Sequence, residues 1–262
     1  MTFVDILGFA DLVHETTAAE VDEILDAIAQ TAGLPLDAES SGTTALQFSD
    51  SVIRARELGS DSIYDALLEE IQELATAQWM LLQVGVLVRG GTTVGDVSMT
   101  NGRAFGPAFV RAYRLESTLA GSPRIVIDPS VIADLRSHVR SRPVSQRRAL
   151  IADLRDHVRH GDDGVWFIDF LNSARVVNGS EVVEKALGGI REFVVAEARK
   201  FTSNPSVLPK YLWLVRYHNQ FVRRSFRTRP ELRVKTNEVP ASDEFLKPRL
   251  LQPRLRSTSG AT

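Results

Sequence analysis

Two aspartates stand where a carboxylate needs a reason. Asp5 lies in the apolar run FVDILGF, and Asp50 follows Ser49 between the β-prone runs TTALQF and SVIRAR. A buried charge without a partner is costly, so Asp5 requires a cation or a hydrogen-bonding neighbour. If the strand holding Asp5 lies beside the hairpin holding Asp50, the two carboxylates converge at one edge of a sheet. With a nearby loop carbonyl they form an oxygen-rich set suited to Mg²⁺ or Mn²⁺, phosphate oxygens completing the shell. The segment ILGF, leaving the strand toward a helix, would offer backbone N–H groups to a polyphosphate. The competing reading is turn chemistry, which is the commoner reason for an Asp in a hairpin turn.

The elements that must position these groups follow from pattern. Residues 2–7 read as a short buried strand of Phe3, Val4, Ile6 and Leu7. A helix follows, capped by Thr16 or Thr17 with Glu20 behind it; Val21, Ile24, Leu25 and Ile28 form its apolar stripe, and Gly33 ends it. The hairpin around Ser49-Asp50 comes next, then a long amphipathic helix in DSIYDALLEEIQELATAQWML. VGVLVRGGTTVGDVSMTNGRAFG reads as a strand, a Gly-Gly bend and a second strand, followed by an Asn-Gly turn. Gly106-Pro107 opens a helix in GPAFVRAYRLESTLA, PRIVIDPSVI supplies a strand, and Pro129 starts another helix. This order predicts an α+β fold with helices covering one face of the sheet.

Beyond residue 140 the character changes. SRPVSQRRALIADLRDHVRH is a basic helical segment, VWFIDFLN an apolar strand or buried turn, and two long helices follow over 180–201 and about 205–226. The expected organisation is a first, α+β domain over 1–140, a mainly helical extension over 141–226, and a proline-rich, polar tail over 227–262 that is disordered or wraps a partner.

Bulk properties exclude several function classes. The 262 residues carry 31 Lys and Arg against 33 Asp and Glu, a net charge of −2 that gives no general argument for nucleic-acid or membrane binding. The absence of cysteine removes disulfides, thiolate metal sites and cysteine nucleophiles. No signal peptide is visible, and the longest apolar stretch, WMLLQVGVLV, is too short for a membrane helix, so a cytoplasmic location is expected. His157 and His160, three apart on the basic helix, lack a third ligand nearby and are expected on a solvated face.

Five segments resemble the motifs of class III nucleotide cyclases in their family order. FVDILGFADLV is similar to the first metal motif, LQFSDSVI to the hairpin bearing the second metal aspartate, and GVLVRGGTTVGDV to the strands before the dimerisation arm. FGPAFVRAYRLES is similar to the helix carrying catalytic residues, and PRIVIDPSVI to the closing strand. The positions that read a purine are replaced by Leu46, Pro107 and Val110, while Arg114 stands at the arginine position. RGG-T-x-x-G followed by FGPA…AY-LE further resembles the bacterial pyrimidine cyclases of the Pycsar anti-phage system.

That resemblance implies a ferredoxin-like cyclase fold and a homodimer that makes cyclic UMP or cyclic CMP from UTP or CTP, a messenger for a separate effector protein. It implies two Mn²⁺ (or Mg²⁺) ions held by Asp5, Asp50 and the carbonyl of Ile6, with Leu7, Gly8 and Phe9 shaping the phosphate loop. Arg114, from the partner chain, would stabilise charge on the α-phosphate. Arg111 would touch phosphate, stay solvated or pair with Glu116; Tyr113 would lie beside the base or pack; Arg89 would read a base carbonyl or phosphate, or brace the glycine bend. No nucleic-acid or membrane partner is implied.

Overall fold

The computed structural model describes residues 1–9, 13–14, 16–31, 42–58 and 63–240. Its elements, in chain order, are β1 (Thr2–Ile6), α1 (Ala18–Thr31), β2 (Thr43–Phe48), β3 (Ser51–Arg56), α2 (Ile63–Gln83), β4 (Val88–Thr92), the small hairpin β5 (Ser98–Thr100) and β6 (Arg103–Phe105), α3 (Pro107–Leu119) and β7 (Ile125–Ile127). Then come α4 (Pro129–Ser141), α5 (Val144–His157), β8 (Val158–His160), β9 (Trp166–Ile168), α6 (Phe170–Asn178), α7 (Ser180–Lys200) and α8 (Leu208–Ser225). The fold is α+β. One seven-stranded mixed sheet has the order β2-β3-β1-β4-β7-β9-β8, with β4 and β7 parallel and every other neighbouring pair antiparallel.

Local chemistry accounts for the element ends that matter here. Thr17 and Glu20 form the expected capping box: the Thr17 amide and hydroxyl both donate to Glu20 Oε2 at 2.8 Å, and the Glu20 amide donates back to Thr17 Oγ1 at 3.4 Å. The end expected at Gly33 lies outside the described residues. Ser49, at φ 54°, makes the tight turn that joins β2 to β3, and Asn101-Gly102 turns β5 into β6 with both residues at positive φ.

Successive residues of a strand point to opposite faces of the sheet. On one face Ile6, Val52 and Val88 pack with Ile28 of α1 and Leu81 of α2. On the other, Met1 and Phe3 pack with Ala108 and Ala112 of α3. Helices therefore cover both faces, not one; α3 crosses the second.

Two further expectations change. Gly90 and Gly91 form no bend: both lie inside β4, paired with Val4 and Phe3. A Cβ on Gly91 would lie 2.4 Å from Leu115 Cβ and 2.5 Å from the Ala112 carbonyl oxygen, so glycine is what lets α3 rest on the strand. The stretch after residue 226 is also packed in its first part. Leu232, Val234 and Val239 are buried; the Asn219 side chain exchanges hydrogen bonds with the Val234 backbone at 2.9 and 2.8 Å, and His218 Nε2 meets the Leu232 carbonyl at 2.8 Å. The remainder of the expected tail, 241–262, lies outside the described residues.

Candidate metal and nucleotide site

β1 runs between β3 and β4, and its register sets Asp5 opposite Ser51 on one side and Arg89 on the other. The Ile6 amide donates to the Asp50 carbonyl at 3.2 Å, which draws the β2–β3 turn against the end of β1. Both aspartates thus stand at the same sheet edge. Asp5 accepts a hydrogen bond from Ser51 Oγ at 3.1 Å through Oδ1, and from the Arg89 guanidinium at 3.2 Å through Oδ2. Among the described residues the Asp50 carboxylate has neither a hydrogen bond nor an ion pair.

A third carboxylate joins them. Arg89 Nε lies 2.7 Å from Glu116 Oε1, with the Arg89, Asp5 and Glu116 side chains 28%, 17% and 3% exposed. Glu116 reaches the site because Ala108, Ala112 and Glu116 recur every fourth residue along α3, on the stripe that faces β4. That spacing is visible in the sequence, where Glu116 figured only as a partner for Arg111.

The charges interact strongly. Burial pushes the Asp5 carboxyl up, and the negative charge of Asp50 adds to this, while Arg89 and Ser51 oppose it; the net shift is upward. Glu116 is also raised, first by burial and then by the fields of Asp5 and Asp50, against the pull of Arg89. Carboxylates held up by mutual repulsion gain from any cation placed between them.

The residues present fit a hard divalent ion in one respect: Asp5 already binds a cation, the guanidinium of Arg89. Among the described residues no three His, Cys, Asp or Glu side chains form a group that could hold a metal. Two carboxylates and a carbonyl would leave most of the shell to water or phosphate oxygens, as Mg²⁺-type sites do.

The phosphate-loop residues are only partly free for that work. The Ile6 amide is taken by Asp50 and the Leu7 amide by the Leu87 carbonyl at 2.8 Å. This leaves the Gly8 and Phe9 amides, past the strand end, as the donors an anion would use. Gly8 is exposed at φ 81°, a conformation that favours glycine. The Phe9 side chain packs on the cluster around Ile6 and Ile28.

Apart from Glu116, the α3 residues are not drawn together with the aspartates. Arg111 turns away from Glu116, which lies well round the helix from it, and binds Asp128 instead: Nε to Oδ2 at 2.6 Å and the terminal nitrogen to Oδ1 at 3.4 Å. Tyr113 is half exposed and sets its ring edge-on to Phe3 at 5.4 Å. Arg114 is exposed and forms no ion pair among the described residues. One histidine differs from expectation as well. His157 is buried at the end of α5, its Nδ1 2.8 Å from Ser173 Oγ and its Nε2 3.1 Å from the Gln72 side chain; His160 is exposed as expected, but on β8 against Trp166 and not on a helix.

No helix among the described residues is long and apolar enough to cross a membrane. No protein-family model matches the chain, and no curated protein matches it.

Proposed function

We propose that the chain is a pyrimidine nucleotide cyclase of the class III type, converting UTP or CTP to cyclic UMP or cyclic CMP and pyrophosphate, with UTP favoured. The observation that carries this reading is the meeting of Asp5 and Asp50 at one sheet edge. The order of elements supports it: the strand of the first aspartate lies between the hairpin strand after the second and the glycine-containing β4, with α3 across that face.

In this reading Asp5, Asp50 and the Ile6 carbonyl hold Mn²⁺ or Mg²⁺. When bound, such ions would lower the pKa of the ribose 3′-hydroxyl and neutralise charge on the triphosphate. The 3′-hydroxyl gives its proton to water, its oxygen bonds to the α-phosphorus as the α-phosphorus–oxygen bond to the β-phosphate breaks, and pyrophosphate departs. Gly8 and Phe9 offer amides to the polyphosphate. Arg114 of a second copy stabilises charge on the α-phosphate; exposed Phe105, Val110 and Tyr113, on β6 and α3, supply apolar surface for such a homodimer. The cyclic nucleotide would act in the cytoplasm on a separate effector in anti-phage defence.

One observation favours a second reading, a catalytically silent cyclase-homology module that binds nucleotide or dimerises. Arg89 sits on Asp5, and the first two loop amides are spent within the sheet. Incubating the full chain and Mn²⁺ with each common nucleoside triphosphate, and identifying products by mass, separates the two. Cyclic UMP or cyclic CMP is expected, and Asp5→Ala or Asp50→Ala should lower its formation at least about a hundredfold with the fold intact. Absence of any cyclic product would leave the silent module, and a preference for ATP would remove the pyrimidine assignment.

A further inference from the structure

Glu116 presents an unresolved acceptor. Its Oε1 is buried and receives no hydrogen bond, although Arg89 Nε stands only 2.7 Å away. The reason is direction: the Arg89 Nε–H points to Asp5 Oδ2, at 3.4 Å, so its proximity to Glu116 is an ion pair without a hydrogen bond. A buried carboxylate oxygen left in this state is costly, and a modest rotation of one guanidinium would satisfy it. Arg89 is part exposed and has room to turn, whereas Glu116 is fixed in the stretch of α3 that rests against Gly91.

From this we infer that Arg89 is a two-position counter-cation, neutralising Asp5 while no metal is bound and transferring its hydrogen bonds to Glu116 when a divalent cation enters. Glu116 is then a positioning residue, acting on the metal site through Arg89. The charge balance agrees. Asp5, Asp50 and Glu116 around one guanidinium carry a formal surplus of two negative charges, which one divalent cation offsets without expelling the arginine. The inference rests on the metal-binding part of the cyclase reading.

The test measures Mn²⁺ affinity of the full chain without nucleotide, from the free-Mn²⁺ paramagnetic resonance signal, for wild type, Arg89→Met, Glu116→Gln and the double variant. Arg89→Met removes the competitor and should tighten binding about tenfold; Glu116→Gln removes the alternative seat and should weaken it by a similar factor. In the Arg89→Met background Glu116→Gln should have almost no effect, because there is no arginine left to receive. An equal weakening in both backgrounds would mean that Glu116 acts only by its charge, and would overturn the inference.

Should Arg89→Met not fold, the Arg89 Nε–H resonance decides. It should shift on Mg²⁺ addition to wild type and stay fixed in Glu116→Gln; a resonance that ignores Mg²⁺ in the wild-type chain overturns the proposal. If wild type binds Mn²⁺ no better than Asp5→Ala, the metal site itself is refuted. If binding depends on Asp5 but the cycle is additive, only the transfer fails.

Discussion

Asp128 carries several duties on one carboxylate. It caps α4 by accepting from the Ser130 amide at 3.0 Å, receives the Thr93 hydroxyl at 3.0 Å, and anchors α3 through Arg111. Burial pushes its carboxyl up, but Arg111, the Ser130 amide and Thr93 outweigh burial and leave it below its ordinary value. A depressed carboxyl contributes stability at pH values above its unfolded pKa and loses it as the pH falls through the folded one. Asp128→Asn should therefore cost about 1–3 kcal/mol at neutral pH. The gap in melting temperature between variant and wild type should close as the pH drops below about 4; a gap that stays constant down to pH 2.5 would refute this account, that value being roughly a unit below the ordinary carboxylate range. Asp5 is conspicuous from residue type and setting, as an acid in an apolar run, whereas Asp50 reads as turn chemistry until the register brings its turn against β1. Arg111 and His157 could not be placed from sequence: their partners, Asp128 and Ser173, lie on other elements, and which way each side chain turns is decided by packing that no local pattern records.

β4 and α3 are matched at the level of whole elements. Gly90 lies where a Cβ would come within 2.6 Å of the Phe3 carbonyl oxygen, and Gly91 where it would strike Leu115 and Ala112. Gly91→Ala should lift α3 off the strand, costing about 1–3 kcal/mol as overpacking does, and more if the helix cannot shift. Because α3 carries Glu116 and Arg114, the variant should also lower the cyclic-nucleotide formation proposed for the chain while its circular dichroism stays native; full stability with an unchanged chemical-denaturation midpoint would show that the contact is not tight. The misreading of Gly-Gly as a bend has a plain cause. Glycine signals either a turn or a close approach, and the two look alike until the partner helix is known. By contrast the hairpin at Ser49-Asp50, the Thr17–Glu20 box and the Pro-led starts of α3 and α4 were legible, since each is settled within a few residues. The short helix α6 and strand β8 were hidden because they are stabilised by distant contacts, β8 through its ladder with β9.

At the scale of the molecule, the expected division after residue 140 meets a continuous interior. Leu67, Ile71 and Trp79 of α2 share one core with Ile125 and Ile127 of β7, Leu171 of α6, Leu187 of α7 and Phe221 of α8. β8 and β9 extend the same sheet that carries Asp5. Polar links cross the same boundary: Tyr64 Oη donates to the Leu150 carbonyl at 3.1 Å, the Gln72 side chain meets His157 Nε2 at 3.1 Å, and Arg124 donates to Asp163 at 2.6 Å. Phe167 of β9 meets Trp213 and Tyr217 edge-on at 5.6 and 5.8 Å, fastening α8 to the sheet. An interior built this way exposes apolar surface whichever half is released, so the halves should unfold together. Two variants that each retain a single tryptophan, Trp79 in α2 or Trp213 in α8, report on opposite sides of residue 140. Within each variant, fluorescence and far-ultraviolet circular dichroism should give the same urea midpoint, because local and global probes sense one transition whose size reflects the whole described core. A Trp213 signal lost at lower urea than the circular dichroism of the same variant would establish a separable extension, and would free the sheet edge bearing Asp5 and Asp50 from dependence on the C-terminal helices.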